Sequence, residues 1–264
     1  MNLAEEEIAK HLNGTLVPEE IKDKIPEGFH YVEGKIEEGA VIEDTEGNQF
    51  VWIPVDGIKV KYERQDFGKQ AGNYSDFFEE LVTTLQNSVN ENGGFYIARF
   101  EAGNSNKNDP ITDKVVSKKN NTVYNYVTRD QAKELAEGMY PGKSKLVSSY
   151  AWDAVMNFVA DETHSVTDSR SWGNHLDSIT PANVEGVGKL KKRYSEYWKA
   201  KNIYDLAGNV REWSTECFSI SGESCVFRGG DYFYSGESDP VSHRYLHNAT
   251  YGDGRIAFRV TLYL

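Results

Sequence analysis

Residues 202–216 read NIYDLAGNVREWSTE, and their spacing decides how the end of the chain folds. Gly208 and Asn209 stand together where the backbone must turn, since both tolerate left-handed angles that other residues resist. A strand carrying Trp213 follows, and FRGGDYF at 227–233 reads as the return of a hairpin. IAFRV at 256–260 reads as a closing core strand, with Phe258 turned inward. Trp213 supplies the large buried area that irregular segments need to be pinned. Arg228 and Arg259 suit structural hydrogen bonds beneath the loops better than contact with a substrate.

Upstream, GAVIEDTEGNQFVWIPV at 39–55 alternates and turns at Glu46, Gly47 and Asn48, which predicts a hairpin leading into a strand over 50–55. GGFYIARFEAG at 93–103 predicts a second strand. Three helices are expected: one from the N-cap Ser75 through SDFFEELVTTLQNSV, one from Thr128 through TRDQAKELAEGMY, and one capped by Ser148 or Ser149 through YAWDAVMNFVADE. The polar stretch 104–125 reads as a long surface loop, and Trp172 and Trp198 as anchors of an irregular region between 163 and 201. Residues 1–45 form an N-terminal segment with a hairpin start. Its apolar positions Leu3, Ile8, Leu12 and Ile21, interrupted by Pro18, predict brief helices suited to attachment.

DLAGNVREW, RGG and AFRV, together with FVWIPV, GFYIARFEAG, VTRDQAKELAEGM and LVSSYAWDAVMNFV upstream, occur in an order that resembles the formylglycine-generating-enzyme family. That family is a branch of the C-type lectin-like fold, and the resemblance spans 46–264. It implies an α+β domain, loop-rich, with short twisted antiparallel sheets and two main helices. Oxidase members of the family carry a cysteine pair just after the RGG motif, where this chain has Tyr234 and Asp239. Cys217 and Cys225 precede Arg228 and suit a cross-linked hairpin, although spacing leaves free thiols equally open. Iron-binding members need a histidine set. Here only His243 and His247 are close, and a spacing of four makes a metal pair only on a helix, which Ser242, Asn248, Thr250 and Gly252 oppose. The EPN, QPD and WND signatures of calcium-dependent sugar binding do not occur. The expectation is a non-enzymatic protein without metal or cofactor. The alternative is a divergent metal-dependent oxidase or iron enzyme of the same family.

Composition narrows the partner. With 29 basic against 41 acidic residues the net charge is −12, which disfavours nucleic acid and anionic membranes. The Lys-rich runs at 118–119 and 189–193 read as solvated faces. No apolar run approaches the length of a membrane span, and MNLAEEEIAKHLNGTL lacks the apolar core of an export signal. The expected location is a virion (tail-associated) or bacterial cell surface reached by assembly, and otherwise the cytoplasm.

Between RGG and AFRV the chain reads DYFYSGESDPVSHRYLHNATYGDGR, a mixture close to that of antibody combining loops. One subgroup of the fold, the variable proteins of diversity-generating retroelements in phages and bacteria, resembles this pattern. In that subgroup adenines are randomised, and an asparagine codon can become Tyr, His, Asp, Ser, Leu, Arg or Gly, but not Lys, Glu, Gln, Met or Trp. Over 231–255 there is no Lys, Gln, Met or Trp, and Glu237 is the only glutamate. The resemblance implies a ligand-binding surface made of Tyr232, Tyr234, Asp239, His243, Tyr245, Leu246, His247, Asn248, Tyr251, Asp253 and Arg255. Between them stand the expected fixed residues Phe233, Pro240, Val241, Arg244, Ala249 and Ile256. The implied partner is a protein or glycan on a host or neighbouring cell.

Overall fold

The computed structural model describes residues 17–55, 62–70, 72–104, 114–179, 195–218 and 222–264. Leu3, Ile8, Leu12 and the 189–193 run lie outside them. In chain order the first elements are α1 (Glu19–Lys22), β1 (Phe29–Glu33), β2 (Val41–Asp44), β3 (Gln49–Pro54), β4 (Phe77–Phe78), α2 (Thr83–Asn92) and β5 (Gly94–Ala98). Next come β6 (Gly103–Asn104), β7 (Val115–Val116), β8 (Thr122–Val123), α3 (Arg129–Met139), β9 (Ser144–Leu146) and α4 (Ser149–Val159). The chain closes with β10 (Lys199–Ala200), β11 (Ile203–Tyr204), β12 (Arg211–Phe218), β13 (Ser224–Arg228), β14 (Tyr245–Asn248), β15 (Ile256–Phe258) and β16 (Val260–Leu262).

A six-stranded antiparallel sheet in the order β1-β2-β3-β5-β16-β9 forms the base. Both of its faces are covered, which is why FVWI and FYIA read as unbroken apolar runs. Val51, Ile53, Phe95 and Ile97 face a core filled by α2 and α4. Phe50, Trp52, Tyr96 and Ala98 face a second core with Trp213, Phe227, Phe258 and the inner side of α3. The β2–β3 turn falls where the hairpin was expected. Gly47 takes φ +86° there, and the Asp44 carboxylate accepts hydrogen bonds from the backbone of Glu46 and Asn48.

The helix expected from Ser75 begins instead at Thr83. Ser75 lies in a 3-10 turn capped by Asn73, and Phe77–Phe78 is drawn into a strand against Cys217 and Phe218 of β12. Phe77 is buried there against the Phe218 ring, and that gain outweighs local helix preference. The described residues of the stretch expected as a loop over 104–125 include strands: β6 pairs antiparallel with β7 and with β8, and Val115 and Val116 are buried. The other two helices start at their expected caps. Thr128 and Gln131 form a reciprocal capping box, and Ser148 accepts from the amide of Ala151. Trp172 and Trp198 are both buried.

The second sheet, in the order β14-β13-β12-β15, carries the C-terminal motifs. β12 pairs antiparallel with β13 and parallel with β15. Cys217 and Cys225 sit opposite each other in the hairpin and are joined by a disulfide. Gly208, Asn209, Gly229 and Gly230 all have positive φ, and a Cβ on Gly208 would stand 2.1 Å from the Asn174 carbonyl oxygen. The two motif arginines are structural. Arg259 makes a buried fork to Glu212 and donates to the carbonyls of Ala98 and Tyr204. Arg228 bonds Asp153 and Ser149 on α4. Among the described residues no helix is long and apolar enough to cross a membrane.

Candidate functional site

Arg211, the first residue of β12, lies at the centre of the C-terminal surface although only 5% of it is exposed. Its Nε and Nη2 donate to the Asp239 carboxylate at 3.2 and 2.5 Å, and Nη1 stands 3.3 Å from Asp231. The aromatic rings of Tyr234 and Tyr245 cover it, with centroids 4.6 and 4.1 Å from the guanidinium carbon. A weakly hydrated planar cation suits such a place because it can stack and hydrogen-bond at once. Asp239 also takes a hydrogen bond from His243 Nδ1. Burial alone would raise the Asp239 pKa, but His243 and Arg211 together hold it below the ordinary carboxylate value.

A second group borders the first. Arg255 pairs with Asp253 at 3.3 Å and reaches toward Asp231 at 3.8 Å, and its guanidinium lies 5.2 Å from the Phe233 ring centroid. His247 stacks on Tyr251 with centroids 3.8 Å apart, and the Tyr251 hydroxyl donates to Asp253. The residues expected to form the surface are thus distributed as follows. Tyr234, Asp239, His243 and Tyr245 converge on Arg211, while His247, Tyr251, Asp253 and Arg255 form the adjoining group. Tyr232 is half-buried, with its amide bonded to the Asn209 carbonyl. Strand alternation puts Leu246 and Asn248 on the face of β14 opposite Tyr245 and His247, so these two do not join the cluster. Asp239 is buried beneath the surface rather than displayed on it.

Of the expected fixed residues, Phe233 is 56% exposed, whereas Val241 and Ile256 are buried. Arg244 is buried and bonds Asp153 and Glu216. Sequence reasoning missed Arg211, which reads as an ordinary polar strand residue until its two carboxylates are seen. It also missed Tyr126, 64% exposed at φ +61°, whose amide donates to the Asp253 carbonyl. Gly254 lies so close that a Cβ there would stand 2.8 Å from the Tyr126 hydroxyl. An aromatic residue stranded in a polar segment just before the Thr128 cap was the available signal. Leu176, also exposed, donates its amide to the Tyr234 carbonyl and continues the apolar surface.

A copper thiolate does not fit this arrangement, because Tyr234 and Asp239 occupy the positions after RGG and both are engaged with Arg211. His243 and His247 do not share a helix: β14 runs through His247, and His243 is committed to Asp239. Among the described residues no group of three or more His, Cys, Asp or Glu side chains is placed to hold a metal ion.

Residues 133–262 match the family of sulfatase-modifying factor enzyme 1-like domains. No curated protein matches the chain in sequence. Among solved structures it is similar to PvdO from Pseudomonas aeruginosa, at 16% identity and a TM-score of 0.51, covering 86% of this chain and 98% of that one. It is also similar to variable protein 1 of Treponema denticola, at 14% identity and a TM-score of 0.43, over 65% of this chain and 85% of that one. CarF aligns at 13% identity and a TM-score of 0.42, over 65% and 87% of the respective chains. Residues 133–262 are therefore similar to sulfatase-modifying factor enzyme 1-like domains, and the chain has the formylglycine-generating-enzyme-like C-type lectin fold.

Proposed function

We propose that this protein is a non-enzymatic recognition protein, a diversified variable protein that binds a protein or glycan on a host or neighbouring cell through its C-terminal aromatic surface. The observation that carries the reading is the division of labour around Arg211. Buried charges hold the segment in place, while Phe233, Tyr234 and Tyr251, with Tyr126 beside them, stay exposed. Exposed large aromatics over a rigid frame give contact area at low entropy cost. Arg255, with the partly buried His243 and His247, supplies directional polar contacts at its edge. A virion or cell surface is the setting in which such a patch meets its partner.

The test combines three exposed positions. Tyr126→Ser, Phe233→Ser and Tyr251→Ser together are expected to abolish binding of the purified protein to envelope fractions of the target cell while leaving its melting curve in place. A triple variant that binds as before removes the aromatic surface from recognition. A neighbouring reverse transcriptase gene, with a near-copy of the end of this gene differing only at adenines, supports the diversified reading. Stoichiometric copper or iron in protein purified without chelator overturns the non-enzymatic one.

A further inference from the structure

Away from the aromatic surface, a cleft of about 350 Å³ is walled by Glu80, by Arg129 and Lys133 of α3, by Lys145 of β9, and by Thr215 and Cys217 of β12. Its charges are of two kinds. Lys145 is paired with Glu137 at 3.1 Å, and Arg129 is paired with Asp130 at 3.1 Å while donating Nη2 to the Thr215 carbonyl. Lys133 and Glu80, by contrast, form no ion pair among the described residues. One uncommitted ammonium and one uncommitted carboxylate, in a space of this size, complement a ligand that bears both charges, such as an amino acid or short peptide. Glu79, which also borders the cleft, is occupied by the amides of Ser149 and Tyr150 at the start of α4.

The disulfide adds reactivity to that space. Cys217 forms part of the wall and Cys225 does not, and Cys225 is 1% exposed against 7% for Cys217. The Thr215 carbonyl that receives Arg129 lies 3.8 Å from Cys217 Sγ, and Arg129 lines the same cleft as that sulfur. Access decides which sulfur of a disulfide is attacked, and a nearby cation favours the attacking thiolate.

We propose that the cleft is a thiol-exchange site, which takes a zwitterionic thiol of the amino-acid class and directs its thiolate to Cys217. The thiolate attacks Cys217 Sγ and forms a mixed disulfide, while the electron pair of the Cys217–Cys225 bond passes to the Cys225 sulfur. That sulfur takes a proton from water, and its thiol has the Gly222 carbonyl oxygen 3.3 Å away as acceptor. The incoming thiol is oxidised and the Cys225 sulfur is reduced, so no further redox partner is needed. The cross-link ties β12 to β13 within the second sheet, and Cys225 pairs in register with His247 of β14.

The experiment treats the full chain with L-cysteine and, separately, with neutral 2-mercaptoethanol at equal thiolate concentration, then quenches with acid and locates the adduct by peptide mass mapping. The adduct is expected on Cys217, with a rate constant about two- to five-fold higher for L-cysteine, the range one surface ion pair supplies. Lys133→Ala and Glu80→Ala are each expected to slow exchange with L-cysteine while leaving the 2-mercaptoethanol rate and the melting temperature in place. An adduct on Cys225, equal rates for the two thiols on the unaltered protein, or exchange that proceeds only at the rate of global unfolding overturns the proposal.

Discussion

Arg211 and Asp239 form a buried ion pair, and the Tyr234 ring covers the guanidinium from outside. Removing one partner of such a pair leaves an uncompensated buried charge, at a cost of about 3–5 kcal/mol. Arg211→Ala is therefore expected to lower stability by that amount in urea denaturation. Asp239→Asn in the same background should recover part of the loss. A double variant no more stable than Arg211→Ala alone would show that charge is not the cause.

Trp213 is fully buried, with its indole N–H donated to the Val127 carbonyl and its ring 3.8 Å from that of Phe227. Trp213→Ala is expected to cost about 3–5 kcal/mol, and Phe258→Ala a loss in the same range. Thermal melting of each variant reads the loss directly. An unchanged melting temperature in either would move that residue out of the core.

Burial depresses the His175 imidazole to about 4 from its ordinary 6.5, against the opposing pull of Asp239. Its Nε2 meets the Ser169 hydroxyl at 2.8 Å. The unfolded chain therefore binds this proton more readily than the folded one. The stability that the neutral ring contributes is complete above pH 6.5 and is lost as pH falls toward 4, about 3 kcal/mol in all. His175→Gln is expected to flatten the melting temperature across that window relative to the parent. Equal slopes in the two proteins would assign acid sensitivity to other groups.

Thr128 and Gln131 close the start of α3 reciprocally, the amide of Gln131 bonding Thr128 Oγ1 and the amide of Thr128 bonding Gln131 Oε1. Thr128→Ala should cost about 1 kcal/mol. Thr128→Ser should be nearly neutral, because it keeps the hydroxyl. Chemical denaturation of the pair separates loss of the cap from loss of the methyl group.

These features differ in how far the sequence announced them. The Thr128 and Ser148 caps, the Gly47 turn and the Trp213 strand depend on residues a few positions apart, and local pattern sufficed. The Ser75 helix failed because Phe77 and Phe78 answer to Cys217 and Phe218, a strand that lies far along the chain. Arg211 was illegible for a related reason. Nothing near it in NVREW shows that Asp231 and Asp239 will return to it from the other side of a hairpin. The aromatic character of 231–255 was plain in composition, but the assignment of Phe233 outward and Asp239 inward needed the geometry. Tyr126 joins the surface only because the loop with Gly252 and Gly254 is laid against it.

Both ends of the 231–239 loop come back to one guanidinium, since Asp231 and Asp239 each reach Arg211. Under the proposed function, that closure would set constant positions apart from exchangeable ones within a single loop. Substitution of Tyr232, Phe233 or Tyr234 would leave the loop fastened at the same two points, whereas substitution of Asp239 would unbalance an almost wholly buried cation. Populations descended from this protein should therefore diverge freely between the two fasteners and stay monomorphic at them.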